Sequence, residues 1–531
     1  MPALSSVDHS TSPPSFNMPR EYNAAHDLIE RNLQAGRGDK VAFIDDAGAY
    51  TYAEVDKRTS AFANVLRELG IGMEQRILMC LHDTINFPTV FLGAIKAGVV
   101  PVAANTLLTQ SDYEYMLSDS RARIAVVSAA LLPLFQPLLE KLPFLERILV
   151  ADGQTQDNDS LSQLIANAPD TYTVAPTKAD DMCFWLYSSG STGSPKGTVH
   201  VHSSLIQTAE LYARPILEMI EDDVVFSAAK LFFAYGLGNG LTFPMAMGAT
   251  AVLMAERPTP ASVCTRLLQH QPTIFYGVPT LYASMLASPG LPQKTDLRLR
   301  RCTSAGEALP EEIGKRWREH FEVDILDGIG STEMLHIFLS NRVGEVHYGT
   351  TGKPVPGYRL RLVDDEGNPA AQGEPGELQI AGPTSAVFYW NNREKSRATF
   401  QGQWLRSGDK YFQNADGYYV YAGRSDDMLK VSGIYVSPIE VESTLVTHEA
   451  VLEAAVVGKE DDDQLVKPIA YIVLKPGCHP SEELSASLKQ HVKALLAPYK
   501  YPRWFEFVED LPKTATGKIQ RFKLRAMSTG Q

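Results

Sequence analysis

The sequence predicts an α/β protein: a large N-terminal domain of layered α/β subdomains with a small β-rich subdomain, then a small α+β C-terminal domain. Three observations support this. Short apolar runs alternate with helical periodicity through the first two-thirds of the chain. A region broken by Gly and Pro turns follows at 358–422. A new alternation of helix and strand patterns begins near residue 426. Alternating strands and helices are typical of layered, largely parallel sheets.

The individual elements follow from their apolar periodicity. Strands are predicted at 77–81, 124–128, 148–151, 273–278 and 323–326, and helices at 52–69, 87–97 and 261–270. Nearer the C-terminus, helices are predicted at 438–445 and 481–496 and strands at 451–458 and 468–474. We therefore expect a disordered Ser- and Pro-rich arm at 1–20, an N-terminal domain at 21–425 and a C-terminal domain at 426–531.

The composition, 44% hydrophobic and 21% charged residues, is that of a soluble globular protein. A net charge of −13 without a basic stripe argues against a nucleic-acid binder. The five cysteines are scattered without a C-x-x-C pair, which predicts reduced thiols and no zinc site. No signal peptide or membrane-spanning run is predicted, so we expect a cytoplasmic protein.

The stretch "YSSGSTGSPKGT" at 187–198 has the chemistry needed to hold phosphate oxygens. Its glycines allow the backbone to approach a ligand, its hydroxyls can donate hydrogen bonds, and Lys196 adds a positive charge. A Gly/Ser run alone would favour a flexible solvated loop. However, the apolar run at 182–186 predicts a strand that delivers this loop to a fixed place. Neither the P-loop pattern nor G-x-G-x-x-G is present.

Four segments together resemble the core motifs of the acyl-adenylate-forming superfamily, which contains acyl-CoA synthetases, peptide-synthetase adenylation domains and luciferases. They are "YSSGSTGSPKG" (187–197), "DGIGSTE" (327–333), "RSGDKYFQNADGYYVYAGRSDD" (406–427) and "PKTATGKIQR" (512–521). The resemblance extends from about residue 25 onward, and the order and spacing of the segments carry it. Within the superfamily, "KLFFAYGLGNG" and "GIGSTEMLHIFLS" are most similar to benzoate–CoA ligases.

The resemblance implies a site for ATP and Mg²⁺. The implied ATP/AMP-binding residues are Ser188, Ser189, Gly190, Ser191, Thr192, Gly193, Lys196, Ala305, Gly306, Glu307, Asp327, Gly328, Ile329, Thr332, Asp409 and Arg424. Among them, the resemblance implies that 305–307 and Asp327 lie on the adenine side, that Asp409 accepts the ribose hydroxyls and that Arg424 contacts the ribose or a phosphate. Glu333 is implied as the Mg²⁺ ligand and a catalytic residue together with Thr332, although a Glu at a helix start can also be a simple cap. For Arg424, a salt bridge to an acidic neighbour is the structural alternative.

Three further positions follow from the same resemblance. Lys518 is implied as the catalytic lysine that contacts both the attacking carboxylate and the α-phosphate. Asp426 matches the hinge about which a mobile C-terminal domain turns, and Gly433 matches the glycine of the pantetheine tunnel. Outside its motif, Lys518 would be interpreted as an ordinary solvated charge.

The implied acyl pocket is rich in aromatic residues. Its residues are Phe232, Phe233, Ala234, Tyr235, Gly330, Leu335, His336 and Ile337. Flat aromatic walls favour a flat aromatic acid, although the same aromatics could be ordinary core. Amino-acid-activating relatives have an aspartate where this chain has Phe233. His336 could bind a polar substituent of the substrate or hydrogen-bond a backbone carbonyl.

The resemblance implies an ATP-, Mg²⁺- and CoA-dependent ligase that forms benzoyl-CoA or a close aryl thioester and releases AMP and pyrophosphate. Such an enzyme would serve aromatic compound degradation. Its partners would be small molecules, without nucleic acid or membrane, and it could be a homodimer. The alternatives are an aryl-adenylating enzyme that loads a carrier protein and a catalytically silent acyl or nucleotide sensor.

Overall fold

The computed structural model describes residues 2–153, 159–188, 195–425, 427–431, 434–461, 466–496, 500–513 and 519–528. The chain divides into two compact units. The first comprises Met1–Arg359 and Ile380–Leu405, and the second comprises Leu360–Gln379 and Arg406–Gln531. In this division, part of the predicted β-rich subdomain groups with the C-terminal residues. The predicted boundary residue, Asp426, lies outside the described residues and stays a prediction.

The strands are numbered in chain order. They are β1 Ser6–Asp8, β2 Ser15–Asn17, β3 Val41–Asp45, β4 Gly48–Thr51, β5 Arg76–Cys80, β6 Val100–Ala103, β7 Ile124–Ser128, β8 Arg147–Ala151, β9 Asp159–Ser160, β10 Met182–Ser188, β11 Lys196–Val201, β12 Val224–Ser227, β13 Thr250–Val252, β14 Ile274–Gly277, β15 Arg301–Ser304, β16 Ile325–Gly330, β17 Ile337–Ser340, β18 Lys353–Pro354, β19 Arg359–Val363, β20 Gly376–Ala381, β21 Phe388–Tyr389, β22 Phe400–Gln401, β23 Trp404–Gln413, β24 Tyr419–Arg424, β25 Leu429–Val431, β26 Ile434–Val436, β27 Val451–Glu460, β28 Val466–Leu474 and β29 Trp504–Phe507.

The helices are numbered in the same way. They are α1 Ala24–Gln34, α2 Tyr52–Glu68, α3 Asn86–Lys96, α4 Gln110–Ser120, α5 Leu132–Leu139, α6 Leu161–Asn167, α7 Ser203–Thr208, α8 Ala234–Leu237, α9 Phe243–Met247, α10 Pro260–His270, α11 Pro279–Leu286, α12 Glu311–Phe321, α13 Arg393–Thr399, α14 Pro438–Val446, α15 Glu482–Leu495 and α16 Arg521–Ser528.

One large sheet of the first unit has the strand order β21-β11-β10-β6-β5-β7-β8-β9. From β10 to β9 every neighbouring pair is parallel, whereas β11 pairs antiparallel with both β10 and β21. All residues of β7 are buried, as expected of a parallel strand covered on both faces. The predicted parallel α/β architecture is therefore confirmed here.

The second large sheet of this unit has the order β18-β17-β16-β15-β14-β12-β13-β3-β4. Its strands from β3 to β16 are parallel, and β17 then returns antiparallel beside β16. Buried aromatic residues of the sheet and of α12, among them Phe226, Phe275 and Trp317, pack together in one core cluster. In each sheet an antiparallel strand thus pairs with the last parallel strand, β11 with β10 and β17 with β16. Predicted site residues lie at both of these strand pairs.

Local sequence signals explain where many helices begin. Thr51 and Glu54 form a capping box at the start of α2, and Thr259 caps α10, whose first residue is Pro260. Ser481 caps α15 by accepting a hydrogen bond from the backbone N–H of Leu484. The predicted helices consequently agree with the observed ones to within one or two residues.

The N-terminal residues differ from the expected disordered arm. Strands β1 and β2 pair antiparallel, with Val7 opposite Phe16. The Ser5 hydroxyl donates to the Asp27 carboxylate at 2.5 Å, and His9 Nε2 lies 2.9 Å from a carboxylate oxygen of the buried Glu210. Composition did not reveal this order because these partners lie far away along the chain.

The second unit has its own core. Strands β27 and β28 are antiparallel, β28 and β29 are parallel, and α14 and α15 pack on them through Val441, Leu445 and Leu488. This arrangement confirms the α+β pattern predicted for the C-terminal residues. Within the described ranges of the whole chain, no helix is both long and apolar enough to cross a membrane.

Candidate active site

The predicted phosphate-binding loop is flanked by two paired strands. Ser188 ends β10 and lies opposite Lys196, the first residue of the antiparallel strand β11. Ser188 is buried, and its hydroxyl accepts a hydrogen bond from the Thr198 hydroxyl at 3.4 Å. Ser189, Gly190, Ser191, Thr192 and Gly193 lie outside the described residues. The predicted strand that leads into this loop is confirmed.

The predicted Mg²⁺ ligand, Glu333, lies in a short 3₁₀ turn at Thr332–Met334. The Ser331 hydroxyl caps this turn by accepting from the backbone N–H of Met334 at 3.1 Å. Nε2 of His200 donates to the carbonyl oxygen of Thr332 at 2.7 Å. Burial lowers the pKa of His200 to about 4, so its ring is neutral at physiological pH. Strand β11 therefore holds the backbone of the turn that carries Glu333.

The carboxylate of Glu333 is held by two hydroxyl groups. Ser188 Oγ donates to its Oε1 at 3.1 Å, and Tyr389 Oη donates to the same oxygen at 2.8 Å. The ammonium group of Lys196 lies 4.8 Å from the centre of the Tyr389 ring. The structure thus brings together three residues that the sequence assigned to phosphate and metal binding, and adds Tyr389.

This arrangement fits one divalent cation bound together with phosphate oxygens. Among the described residues, no group of three or more His, Cys, Asp and Glu side chains could hold a metal ion. Mg²⁺ takes few protein carboxylates and keeps waters and phosphate oxygens. Within the described part of the chain, both donors to Glu333 engage Oε1, so Oε2 is the oxygen that a cation would contact.

The predicted adenine-side residues lie at the ends of two adjacent parallel strands. Residues Ala305, Gly306 and Glu307 follow β15, and Asp327 of β16 lies beside Ser304. Gly306 has φ +97°, a conformation that favours glycine. Burial holds the pKa of Asp327 well above its ordinary value. Its Oδ1 has no hydrogen-bond partner among the described residues, so a polar ligand edge could satisfy it.

The two segments of the predicted acyl pocket lie next to each other. Phe232 and Phe233 are in ring contact, with 4.5 Å between their centres, just before helix α8. The Tyr235 hydroxyl hydrogen-bonds Thr303 of β15 at 2.6 Å, which joins this segment to the strand of the adenine side. Ala234, Leu335 and Ile337 are buried, as ordinary core residues would also be.

Glycines allow this close packing. A Cβ on Gly330 would lie 2.6 Å from the carbonyl oxygen of His336, and one on Gly328 would lie 2.9 Å from a methyl of Ile337. Strand β16 carries Gly328, Ile329 and Gly330 directly beside β17. The backbones of β16 and β17 can therefore lie this close together only because residues 328 and 330 are glycines.

The His336 ring makes the hydrogen bond to a backbone carbonyl that was one of its two roles expected from the sequence. Its Nε2 lies 3.1 Å from Oδ1 of Asn239 and 3.3 Å from the carbonyl oxygen of Tyr235. Its ring centre lies 4.5 Å from that of Phe243. Burial lowers the pKa of His336 to about 3, so the ring is neutral. It donates to protein acceptors and fixes the segment that contains Tyr235.

In the second unit, the implied ribose-binding residues form an ion pair with each other. Asp409 and Arg424 face each other across β23 and β24, with 3.3 Å between Nη1 and Oδ1. The guanidinium of Arg424 also donates to the carbonyl oxygen of Ser407 at 3.2 Å. The salt bridge that the sequence left as an alternative for Arg424 is therefore present. Its acidic partner is the predicted ribose acceptor itself.

Several predicted residues lie outside the described residues. Besides the loop residues named above, they are Asp426, Gly433 and Lys518. Sequence reasoning missed His200, Asn239 and Tyr389. His200 closely follows the recognised stretch at 187–198, and Asn239 lies within "KLFFAYGLGNG", whereas no motif was recognised around Tyr389. No local pattern shows that His200 or Tyr389 contacts the turn at Thr332–Met334.

Known proteins resemble the chain along almost its entire length. A model of the AMP-binding enzyme family matches residues 29–390, and a model of the AMP-binding enzyme C-terminal domain matches residues 440–518. The chain is 69% identical over 528 residues to a benzoate–CoA ligase of Thauera aromatica, covering 99% of this chain and 100% of the relative. It is 50% identical to a 4-hydroxybenzoate–CoA/benzoate–CoA ligase of Rhodopseudomonas palustris, covering 96% and 95%.

A solved structure agrees with these matches. The crystal structure of a benzoate CoA ligase from Burkholderia xenovorans LB400 superposes with a TM-score of 0.89 at 58% identity, covering 95% of this chain and 100% of that one. The resemblance inferred from the four sequence segments is confirmed. The chain belongs to the AMP-binding enzyme family and has both its N-terminal and C-terminal domains.

Proposed function

We propose that this protein is an AMP-forming benzoate–CoA ligase that couples benzoate, or a close aryl carboxylate, to coenzyme A. The observation that carries the proposal is 69% identity to a benzoate–CoA ligase over 99% of this chain. The aromatic segment at Phe232–Tyr235 beside the 330–337 segment supports an aryl substrate. Neither alternative function is favoured by the two relatives described above, which are CoA ligases of aromatic acids.

The first half-reaction must join two anions. A carboxylate oxygen attacks the α-phosphorus of ATP, and the bond from that phosphorus to the bridging oxygen of the β-phosphate breaks. The electron pair leaves with pyrophosphate, and the acyl-adenylate remains. Catalysis requires the reactants to be held in line and their charge to be neutralised. We assign Lys196, Thr192 and the neighbouring hydroxyls to the phosphates, and Lys518 to the carboxylate and the α-phosphate.

Glu333 is the proposed Mg²⁺ ligand, and the Ser188 and Tyr389 hydroxyls hold its carboxylate. Bound Mg²⁺ would supply charge neutralisation on the phosphate oxygens. The proposed adenine-side residues are Ala305–Glu307 and Asp327–Ile329. Asp409, an acceptor-only carboxylate, suits the ribose hydroxyls, and Arg424 beside it orients it.

In the second half-reaction the thiol sulfur of coenzyme A attacks the acyl carbonyl, AMP leaves, and the thiol proton is lost to solvent. By resemblance, we assign the hinge to Asp426 and the passage of the pantetheine arm to Gly433. All five cysteines are free, and four are buried, which fits a reducing cytoplasmic location. The homodimer stays a prediction, which light scattering would test.

A substrate screen tests the proposed function. Purified enzyme with ATP, Mg²⁺ and benzoate should release pyrophosphate and, when CoA is added, form benzoyl-CoA detectable by mass spectrometry without any carrier protein. Acetate, palmitate and phenylalanine serve as comparison acids and should react far more slowly. Pyrophosphate release without a CoA ester would indicate a carrier-loading enzyme, and no release with any acid would indicate a silent sensor.

A further inference from the structure

Tyr389 lies between two charged residues of the candidate site. It belongs to β21, where it pairs with Thr198 of β11, and its side chain is buried. Its hydroxyl donates to Glu333 Oε1 at 2.8 Å, and the face of its ring lies 4.8 Å from the Lys196 ammonium. One side chain therefore contacts both the candidate metal ligand and the candidate phosphate-binding cation.

We propose that Tyr389 is a positioning residue that selects which oxygen of Glu333 faces the Mg²⁺ ion bound with ATP. The inference rests on the proposed function, because that function makes Glu333 the metal ligand. Among the described residues, Tyr389 and Ser188 both donate to Oε1, which leaves Oε2 to bind the ion. A carboxylate fixed in this way needs no reorganisation when the metal arrives with the nucleotide.

The tyrosine is itself held rigidly. The backbone N–H of Tyr389 donates to Ser396 Oγ at 2.9 Å, and the next residue, Trp390, donates its N–H to the carbonyl of Gly197 at 2.8 Å. The Phe400 ring packs on the tyrosine with 5.2 Å between ring centres. Contacts to β11 and to α13 thus fix the position of the phenol, so it can define the carboxylate rotamer.

The same residue joins the two charges electrostatically. A phenol that donates a hydrogen bond to a carboxylate carries more electron density in its ring, which strengthens the attraction of a cation over the ring face. Glu333 and Lys196 therefore stabilise each other's position through Tyr389. Backbone contacts support the link, since the N–H of Ala386 donates to the carbonyl of Glu333 at 2.7 Å.

The test measures metal-dependent nucleotide binding rather than turnover. Calorimetry gives the dissociation constant of α,β-methylene-ATP for the full-length enzyme with Mn²⁺ and again with EDTA, and electron paramagnetic resonance counts the bound Mn²⁺. Tyr389→Phe keeps the ring and removes the hydroxyl. We expect it to weaken binding about tenfold with Mn²⁺ and much less with EDTA, where only the contact with Lys196 is affected.

Matched variants make the result specific. Tyr348→Phe also removes a tyrosine hydroxyl from a carboxylate, that of Asp324 at 2.9 Å, and should bind like the parent under both conditions. Glu333→Gln should lose the Mn²⁺ dependence. Parent-like binding by Tyr389→Phe, or equal weakening with and without metal, would overturn the role of Tyr389 alone. Retained Mn²⁺ dependence in Glu333→Gln would overturn the metal-ligand assignment on which it rests.

Discussion

The backbone N–H of Ala24 donates a hydrogen bond to Nδ1 of His202, with 3.1 Å between the two nitrogens. Ala24 is the first residue of α1, and His202 directly precedes α7. Nδ1 can accept this bond only while it is unprotonated. Burial of the ring lowers the pKa of His202 from 6.5 to about 3. The folded protein therefore contains a neutral histidine that the unfolded chain readily protonates.

This histidine makes the stability dependent on pH. Its folded pKa lies below its unfolded value, so the unfolded state binds the extra proton, and stability is lost as the pH falls from 6.5 toward 3. At about pH 5, this group alone should lower the free energy of unfolding by about 2 kcal/mol relative to about pH 7.5. Urea unfolding of the parent and His202→Gln at both pH values measures it. An identical pH dependence in the two proteins would contradict the prediction.

Breaking the buried ion pair between Arg521 and Glu442 should destabilise the second unit strongly. Nη2 of Arg521 lies 2.7 and 2.6 Å from the two carboxylate oxygens, and both side chains are largely buried. Glu442→Ala would leave the guanidinium buried without its charged partner, which typically costs about 3 to 5 kcal/mol. Denaturant unfolding followed by a probe in the second unit checks this value.

Glu440→Ala is the matched control for that variant. Glu440 lies on the same helix, α14, and pairs with Lys500 at 2.6 Å, but its side chain is 39% exposed. Exposed pairs of this kind contribute about 1 kcal/mol or less. If both substitutions destabilise the protein equally, burial does not determine the strength of the Glu442 pair.

Lys518 should serve the first half-reaction only. In its proposed role, the charge of this lysine bridges the attacking carboxylate and the α-phosphate while the new P–O bond forms. Loss of such a contact slows a reaction about a hundred- to a thousandfold. We expect Lys518→Ala to fold, bind ATP and form adenylate very slowly. Given synthetic benzoyl-adenylate and CoA, it should form the thioester at close to the parent rate. Equal losses in both half-reactions would show a general structural role instead.

The size of residue 234 should determine which ring substituents are accepted. Ala234 is buried at the start of α8, next to Phe233, in the predicted acyl pocket. Ala234→Leu should lower kcat/KM for ring-substituted benzoates about 10- to 200-fold more than for benzoate. Benzoate is the internal control. A uniform loss for every acid would indicate damage to the core, and equal kcat/KM for octanoate and benzoate in the parent would contradict the aromatic pocket.

The prediction of strands and helices succeeded where the signal was local. The apolar run at 124–128 became β7, and helix α2 begins at the capping box of Thr51 and Glu54. Strand β16 extends beyond its apolar start, Ile325, through Asp327 to Gly330. The apolar pattern did not reveal this extension, because its polar and glycine residues do not follow the pattern of a core strand.

The sequence by itself determined the family, the class of reaction and the residue types of the site, because each motif is contiguous and its chemistry can be seen in a few neighbouring letters. Only the tertiary structure decided which distant residues support them. The contact of His200 with Thr332, that of Tyr389 with Glu333 and that of His336 with Asn239 each join separate segments. Strand order and register create these contacts, and many orders are compatible with one hydrophobic pattern, so no local signal could reveal them.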